Sequence, residues 1–336
     1  MGGCPSSYAQ SNALELPTQD MKLLVTGGCG YKGSVLIPLL LADGHTVVSI
    51  DTQWFGNELP QHPRLTNLKI DIRDTDALPL EGIDAVIHLA NIANDPAVEL
   101  NPTLSWEVNV LAGQQLADRA VRAGVKQFLF ASSGSVYGIK DELNVTEDLT
   151  LVPISVYNKT KMVAERVFLS YTNEMQVHCV RPATVCGLSP RMRLDVSVNM
   201  LTYQGLKNGK ITVFGGEQTR PNIHINDLAN IYRHFLANPQ LESGCYNAGF
   251  ENIKIIDIAK RVQQATGAEV VVSESNDPRS YRQDSTKLLA TGFKPQFSVQ
   301  TAIDEISAAY QSGELPDGEN CYTVKWMKHL KLEDNR

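Results

Sequence analysis

The sequence predicts an α/β fold in which a doubly wound parallel sheet carries a smaller, interleaved C-terminal lobe. Three observations lead there. Apolar strand-like runs alternate with helical patterns through the first half of the 336 residues, with short connections between them, as in a parallel sheet covered by helices on both faces. Two of the runs, Ala85-Val86-Ile87-His88-Leu89 and Phe128-Leu129-Phe130-Ala131, are apolar almost without a break, which suits central strands buried on both sides. No internal repeat or low-complexity linker separates the halves, so the two lobes are expected to share chain segments.

Taken in order, strands are expected at 22–26, 46–50, 67–70, 84–89, 126–132 and 176–181, with helices around 33–43, 103–123 and 157–173. Each expected strand rests on a short apolar run and each expected helix on a longer helical pattern. After Arg181-Pro182 the rhythm breaks into turn-rich stretches at 187–195 and 214–222. A helix at 226–237 and a short strand, Cys245-Tyr246-Asn247, are expected to return to the main sheet. The expected organisation is a polar tail (1–20), a first domain (21–182 plus about 222–250) and a ligand-binding lobe (183–221 plus 251–336).

Composition excludes several classes. With 43% hydrophobic and 20% charged residues the chain buries a full core. A net charge of −7 without a basic block argues against nucleic acid as partner, while leaving room for a small anion held locally. No apolar run approaches the roughly 20 residues that span a bilayer, so no membrane is expected. The six cysteines lack CxxC pairs; they read as reduced, and the protein as cytoplasmic. Residues 1–20 have neither the charged start nor the apolar stretch of a signal peptide. Met1-Gly2-Gly3-Cys4-Pro5-Ser6 formally fits a myristoylation pattern, but Pro5 and the shortness of the match make chance the better reading.

The most informative stretch runs from Lys22 to Gly33. The strand Leu23-Leu24-Val25 breaks into a turn with Gly27, Gly30 and Gly33 spaced three apart, and the apolar segment Ser34 to Leu41 follows as a helix. That order aims unpaired helix N–H groups at a diphosphate, and the missing side chains let the backbone approach it. An ordinary glycine-rich turn is the competing reading. Asp51 decides between them: it ends the next apolar run roughly 20 residues on, where a dinucleotide's ribose hydroxyls need an acceptor. A Rossmann-type dinucleotide site is therefore expected.

A second constellation follows. Tyr157 and Lys161 open the helix at 157–173, and a spacing of four places them on one face. A phenol with a pKa near 10 is a poor base at neutral pH; a nearby ammonium is expected to favour the phenolate. Ser133, in Ser132-Ser133-Gly134-Ser135-Val136-Tyr137-Gly138, follows the 126–132 strand at its carboxyl end, where ligands of such sheets bind.

With these residues in view the chain resembles, over about 21–310, the extended short-chain dehydrogenase/reductase superfamily and, within it, the nucleotide-sugar epimerases and dehydratases. Thr26-Gly27-Gly28-Cys29-Gly30-Tyr31-Lys32-Gly33 is similar to its TGxxGxxG turn, with Tyr31 among the cofactor residues. Asp71-Ile72 resembles the pair at the adenine, His88-Leu89-Ala90 the strand end lining the cofactor, and Asn109 the asparagine of the central helix. Ser133, Tyr157 and Lys161 fall where the Ser/Thr-Tyr-Lys triad belongs. The resemblance implies that Arg220, in Arg-Pro-Asn-Ile-His-Ile-Asn-Asp, holds a sugar-nucleotide diphosphate, helped by Arg279, Arg282 and the amide of Asn199. No metal is implied.

Departures from the family pattern narrow the reaction. The 4,6-dehydratases carry an Asp-Glu pair after the catalytic threonine; here Gly134 and Ser135 stand there, so dehydration is not expected, and a decarboxylase is disfavoured on the same ground. Pro221 replaces the aspartate after the arginine. Lys32 sets a cation where an apolar residue is usual; it would suit a 2′-phosphate, but Asp51 would repel that group, so NAD is expected over NADP. The expected function is an NAD-dependent nucleotide-sugar epimerase, the alternatives being a 4-ketoreductase and, from another class, a catalytically silent NAD-binding sensor. The family also implies a homodimer through the helices at 103–123 and 157–173.

Overall fold

The computed structural model describes residues 20–274 and 280–332; the expected polar tail, save Asp20, lies outside them. In chain order the strands begin with β1 (Lys22–Thr26), β2 (Thr46–Asp51), β3 (Leu65–Lys69), β4 (Ala85–His88) and β5 (Gln127–Ala131). They continue with β6 (Asn144–Val145), β7 (Gln176–Pro182), β8 (Thr184–Cys186), β9 (Lys210–Phe214) and β10 (Thr219–His224). The last are β11 (Gly244–Ala248), β12 (Glu251–Lys254), β13 (Glu269–Ser273) and β14 (Arg282–Gln283).

Seven of these form one parallel sheet in the order β3-β2-β1-β4-β5-β7-β11. The order reverses between β1 and β4. A doubly wound sheet opens its binding crevice at the carboxyl ends of the strands flanking such a switch, so the glycine turn after β1 and Leu89-Ala90 after β4 face each other across it. Burial explains the apolar runs: Leu23 and Val25 pack on one side of the sheet and Leu24 on the other, all with no exposure.

The first side is covered by α1 (Gly33–Ala42) and, later in the chain, by the helix Ile225–Ala237, through Leu36, Ile37, Leu40, Ile231 and Phe235. The other side begins with two short helices, α2 (Asp95–Val98) and α3 (Pro102–Trp106), and continues with α4 (Ala112–Arg122) and α5 (Val156–Leu169). Leu116, Ala120, Ala164 and Phe168 pack there. In the smaller lobe, α6 (Ser197–Asn208) packs among Val198, Leu201, Ile258, Val262 and Ile303, beside the sheet β12-β10-β8 and the pair β13-β9.

Three local differences from the sequence reading have physical causes. The helix expected at 103–123 is interrupted by a π turn, Glu107–Leu111. Within that turn the Asn109 amide accepts from Ile92 N–H at 2.8 Å and donates to Ile92 O and to Thr160 Oγ1. Helix α5 stops at Leu169, where the Ser170 and Thr172 hydroxyls donate back to the carbonyls of Val167 and Leu169. The C-terminal helix Thr323–His329 lies against the loop after β2: Trp326 Nε1 donates to Trp54 O at 2.6 Å and Asn320 Nδ2 to Phe55 O at 3.1 Å.

Candidate active site

The glycine turn is built for close approach. Gly27 holds a φ of +72°, and a Cβ there would sit 2.6 Å from Ala90 N; a Cβ on Gly33 would sit 2.4 Å from Gly28 O. Any side chain at either place would force the surrounding backbone apart. Helix α1 then starts with no side-chain cap and no acid in its first turn. The Ser34 and Val35 N–H groups donate to Gly30 O and Lys32 O; those of Lys32 and Gly33, without an acceptor among the described residues, keep their attraction for an anion. Asp51 bridges the turn to the end of β2, accepting from Cys29 N–H at 3.0 Å and Gln53 N–H at 2.7 Å.

Around this turn lies one elongated pocket. Every cofactor residue expected from the sequence lines it except Asn109. Asn109 is wholly buried behind the wall, where its amide clamps the loop at Ile92; it positions the pocket rather than facing it. Asn91 does face it, with both amide atoms buried and unpartnered. Lys32 and Arg193 crowd the end near Lys161: burial, together with the Arg193 charge, pushes Lys32 down to about 8, and Lys32 adds to the burial that lowers Lys161. Lys32 therefore stands toward the Lys161 end of the pocket, whereas the cation that acts on Asp51 is Arg191.

At that end Tyr157 and Lys161 share one face of α5. The helix is fixed by three anchors on the sheet. Lys161 Nζ donates to Ala131 O at 2.5 Å, Ser132 Oγ donates to Glu165 Oε1 at 2.5 Å, and Arg181 Nε pairs with Glu165 at 2.9 Å inside the core. Ser155 caps the helix by accepting from Asn158 N–H, and its hydroxyl donates to Asp95. The expected activation of the tyrosine is not present among the protein's own groups. Burial pushes the Tyr157 phenol up to about 12, and the Ser133 hydroxyl only partly offsets it. Lys161 Nζ is 5.9 Å from the phenol ring centre, and burial drives its own pKa well down. A buried ammonium spent on a backbone carbonyl does little for a phenolate.

Beyond Tyr157 a second, polar cleft opens, lined by Asp95, Ser135, Asn158, Ser197, Arg220 and Tyr281 among others. Asn158 Oδ1 and Ser197 Oγ are buried in it without partners. Ser133 stands at its edge, with its hydroxyl 2.8 Å from that of Ser135. Arg220 lines this cleft, but two of its expected helpers do not. Asn199 is fully buried and its amide is used up: it accepts from Gly187 N–H and donates to Tyr31 Oη and Arg193 O. Arg282 is exposed, because β14 alternates and turns Gln283 inward; its neighbour Tyr281 lines the cleft instead. Arg279 lies outside the described residues.

Sequence reasoning missed Asn91, Asp95, Asn158, Arg191 and Arg193. Asn158 had a signal, being adjacent to Tyr157 at a helix start. The two arginines of Ser189-Pro190-Arg191-Met192-Arg193 were visible as paired cations in a turn-rich stretch, but only the fold shows that this stretch walls the pocket.

Fold and pocket together define a dinucleotide-binding α/β protein with a Tyr-Lys helix at one end of its site. Residues 23–249 match the NAD dependent epimerase/dehydratase family. The UDP-glucose 4-epimerase of Lactobacillus helveticus is 30% identical over 327 residues, spanning 87% of this chain and 96% of that enzyme. The solved structure of the Thermus thermophilus UDP-glucose 4-epimerase in complex with NAD has a TM-score of 0.76 at 25% identity, covering 86% of this chain and 100% of that one. MoeE5 in complex with UDP-glucuronic acid and NAD gives 0.77 at 27% identity, with 87% and 99% covered. The chain belongs to the NAD-dependent epimerase/dehydratase family, and NAD is its cofactor. The pocket fits that group: an uncapped helix start, a turn that admits no Cβ at Gly27 or Gly33, and the Asp51 carboxylate held beside the turn.

Proposed function

We propose that this chain is an NAD-dependent epimerase of a nucleotide-diphosphate sugar, working through transient oxidation at C4 to a keto-sugar and return of the hydride. The observation that carries this reading lies at position 134. Gly134 is buried, and a Cβ there would sit 3.1 Å from both side-chain polar atoms of Gln283. That side chain is tied down, its Nε2 donating to Arg181 O at 2.7 Å and Asn247 Oδ1 at 3.0 Å. An acid at 134 would have to displace this tied side chain, whereas Tyr157 and Lys161, suited to hydride chemistry, line the cofactor pocket with Ser133 close by.

NAD, when bound, supplies the acceptor and later donor of hydride. The protein's groups do the rest. Tyr157 takes the proton from the sugar hydroxyl and later restores it, Ser133 steadies the oxygen and partly offsets the upward pull of burial on the phenol, and Lys161 holds the nicotinamide ribose. Arg220 anchors the nucleotide diphosphate while the ring turns in the cleft, so binding energy remote from the reaction keeps the intermediate in place. The smaller lobe of this proposal, 183–221 plus 251–336, contributes Ser197, Arg220 and Tyr281 to that cleft, alongside Asp95, Ser135 and Asn158 of the larger one. A homodimer formed through α4 and α5 and a cytoplasmic location belong to the same proposal. Trp106 and Leu111, exposed beside α4, supply apolar surface for the contact, and no helix among the described residues is long and apolar enough to cross a membrane.

The test is a panel of nucleotide sugars, UDP-glucose and UDP-glucuronic acid included, incubated with enzyme and NAD and read by NMR. Substrate deuterated at C4 should give its epimer with the label still on C4 and no net change in NADH. Stoichiometric oxidation of added NADH would instead establish a ketoreductase.

A further inference from the structure

We infer that Asp95, carried into the polar cleft by the loop between β4 and α2, is a specificity-determining residue: it admits a neutral sugar that offers hydroxyl hydrogens and turns away a sugar that carries a carboxylate. This role rests on the nucleotide-sugar reading above and fixes the class of sugar that the site takes.

Asp95 reaches the cleft through an unusual backbone. Asn94 before it holds a φ of +80° and a ψ of 156°, a region that glycine occupies freely and asparagine only under strain. Two contacts hold that conformation. The Asn94 side chain accepts from Ala97 N–H at 2.9 Å, and Asp95 Oδ1 accepts from the Ser155 hydroxyl, which also caps the helix of Tyr157. The carboxylate is therefore fixed to the start of α5, beside the reacting end of the site. Its charge is felt there: burial raises the Tyr157 phenol most, and the Asp95 carboxylate adds to that rise.

The other polar groups of the cleft point the same way. Asn158 Oδ1 is an acceptor, and with Ser197 Oγ it is buried without a partner. Both can receive sugar hydroxyl hydrogens, as Asp95 can. Cations are scarce by comparison. Among the described residues that line the cleft, Arg220 is the only lysine or arginine, and the diphosphate of a nucleotide sugar has the first claim on it. Asp195, the second acid of the lining, is answered by Arg193 at 2.8 Å and accepts from Thr323 N–H at 2.9 Å. A carboxylate on the sugar would enter beside Asp95 while Arg220 is engaged by the diphosphate, and like charges brought together in a partly desolvated cleft are strongly disfavoured. A neutral sugar, whose hydroxyls donate, meets acceptors.

Binding of UDP, UDP-glucose and UDP-glucuronic acid to the NAD-loaded enzyme should be measured by calorimetry in the parent and in Asp95→Asn, Asp95→Ser and Asp95→Glu. UDP, which lacks the sugar, is the reference. The parent should bind UDP-glucose roughly 100-fold more tightly than UDP-glucuronic acid, a like-charge penalty of ordinary size. Asp95→Asn keeps an acceptor for Ser155 and removes the charge. It should bring that ratio to within about tenfold while changing UDP affinity by less than about threefold. Asp95→Ser carries the comparison if far-UV circular dichroism shows that the asparagine variant fails to fold, and Asp95→Glu, which keeps the charge, should keep the discrimination. A parent that binds the two sugars alike, or a ratio unmoved in both uncharged variants, would overturn the role of Asp95. Turnover is read separately on the NMR panel. A protein that discriminates in binding but epimerises nothing refutes the proposed activity and leaves Asp95 its role, whereas epimerisation with an unmoved ratio refutes only the role of Asp95.

Discussion

Replacing Lys32 by methionine should make the protein without cofactor more stable and its grip on NAD weaker. Lys32 lines the pocket with its ammonium among Lys161 and Arg193 and has no hydrogen bond or ion pair among the described residues. Burial first, and the Arg193 charge second, bring its pKa from 10.5 to about 8. A drop of about 2.5, at 1.36 kcal/mol for each pKa unit, means that the buried cation costs the fold about 3 kcal/mol at pH 7. An unfolding entropy of about 2.1 cal/mol/K per residue gives about 0.7 kcal/mol/K for a chain of this length, so removing the charge should raise the melting temperature by about 4 °C.

The sign with pH follows from the same numbers. Below pH 8 the lysine is charged in both folded and unfolded chains and the cost is fully present. Between about 8 and 10.5 the unfolded chain binds the proton more tightly, so the parent protein should gain stability as pH rises through that window. The Lys32→Met variant should lack that gain. Its NAD affinity should fall by roughly tenfold, the loss of one charge-assisted contact. Differential scanning calorimetry from pH 7 to 10 and calorimetric NAD titration measure both quantities. A variant that melts lower than the parent, or that binds NAD as well as the parent, would refute the reasoning that this charge is held at a cost for the sake of an anionic ligand.

Other outcomes follow from the same site. Tyr157→Phe should leave NAD affinity nearly intact and lower turnover by roughly 10²–10⁴-fold, as measured by steady-state kinetics on the substrate that the NMR panel identifies. Glu165→Gln should cost about 3–5 kcal/mol in urea denaturation, because it leaves the buried Arg181 guanidinium without its carboxylate. Gly134→Asp should destabilise the fold and bring no dehydratase activity, since Gln283 cannot withdraw without giving up its bonds to Arg181 O and Asn247; recovery of a 4-keto-6-deoxy product would contradict this. NAD should bind more tightly than NADP in parallel titrations, since the carboxylate of Asp51 repels a 2′-phosphate.

The part of the fold that was legible in the sequence is the part that local patterns determine. A strand buried on both faces must be apolar at nearly every position, which is why β1, β4 and β5 announce themselves, and a glycine with φ of +72° whose Cβ would strike the end of the next strand admits little else. The breaks were not legible. The π turn at Glu107–Leu111 accompanies a contact between Asn109 and Ile92, 17 residues apart, and nothing in the periodicity of 103–123 marks it. The C-terminal helix joins the loop after β2 through Trp326 and Trp54, 272 positions apart in the chain, a pairing that no local signal encodes.

The same distinction governs the site. Residues set by one element, such as the glycines, Asp51 and the Tyr157–Lys161 pair, were singled out from spacing alone, and the fold gathers them around one pocket. Residues whose role depends on which lobe folds over which were misassigned or missed. Asn199 has the chemistry of a phosphate ligand, yet the fold spends its amide on Tyr31, Gly187 and Arg193. Arg282 has the charge, but strand alternation turns it to solvent. Arg191 drew no attention in the sequence, and the fold leaves it buried, unpartnered and facing the cofactor pocket. Charge type can be read from one residue; whether that charge is already satisfied is a property of the assembled neighbours, and at this site the unsatisfied groups mark where ligands belong.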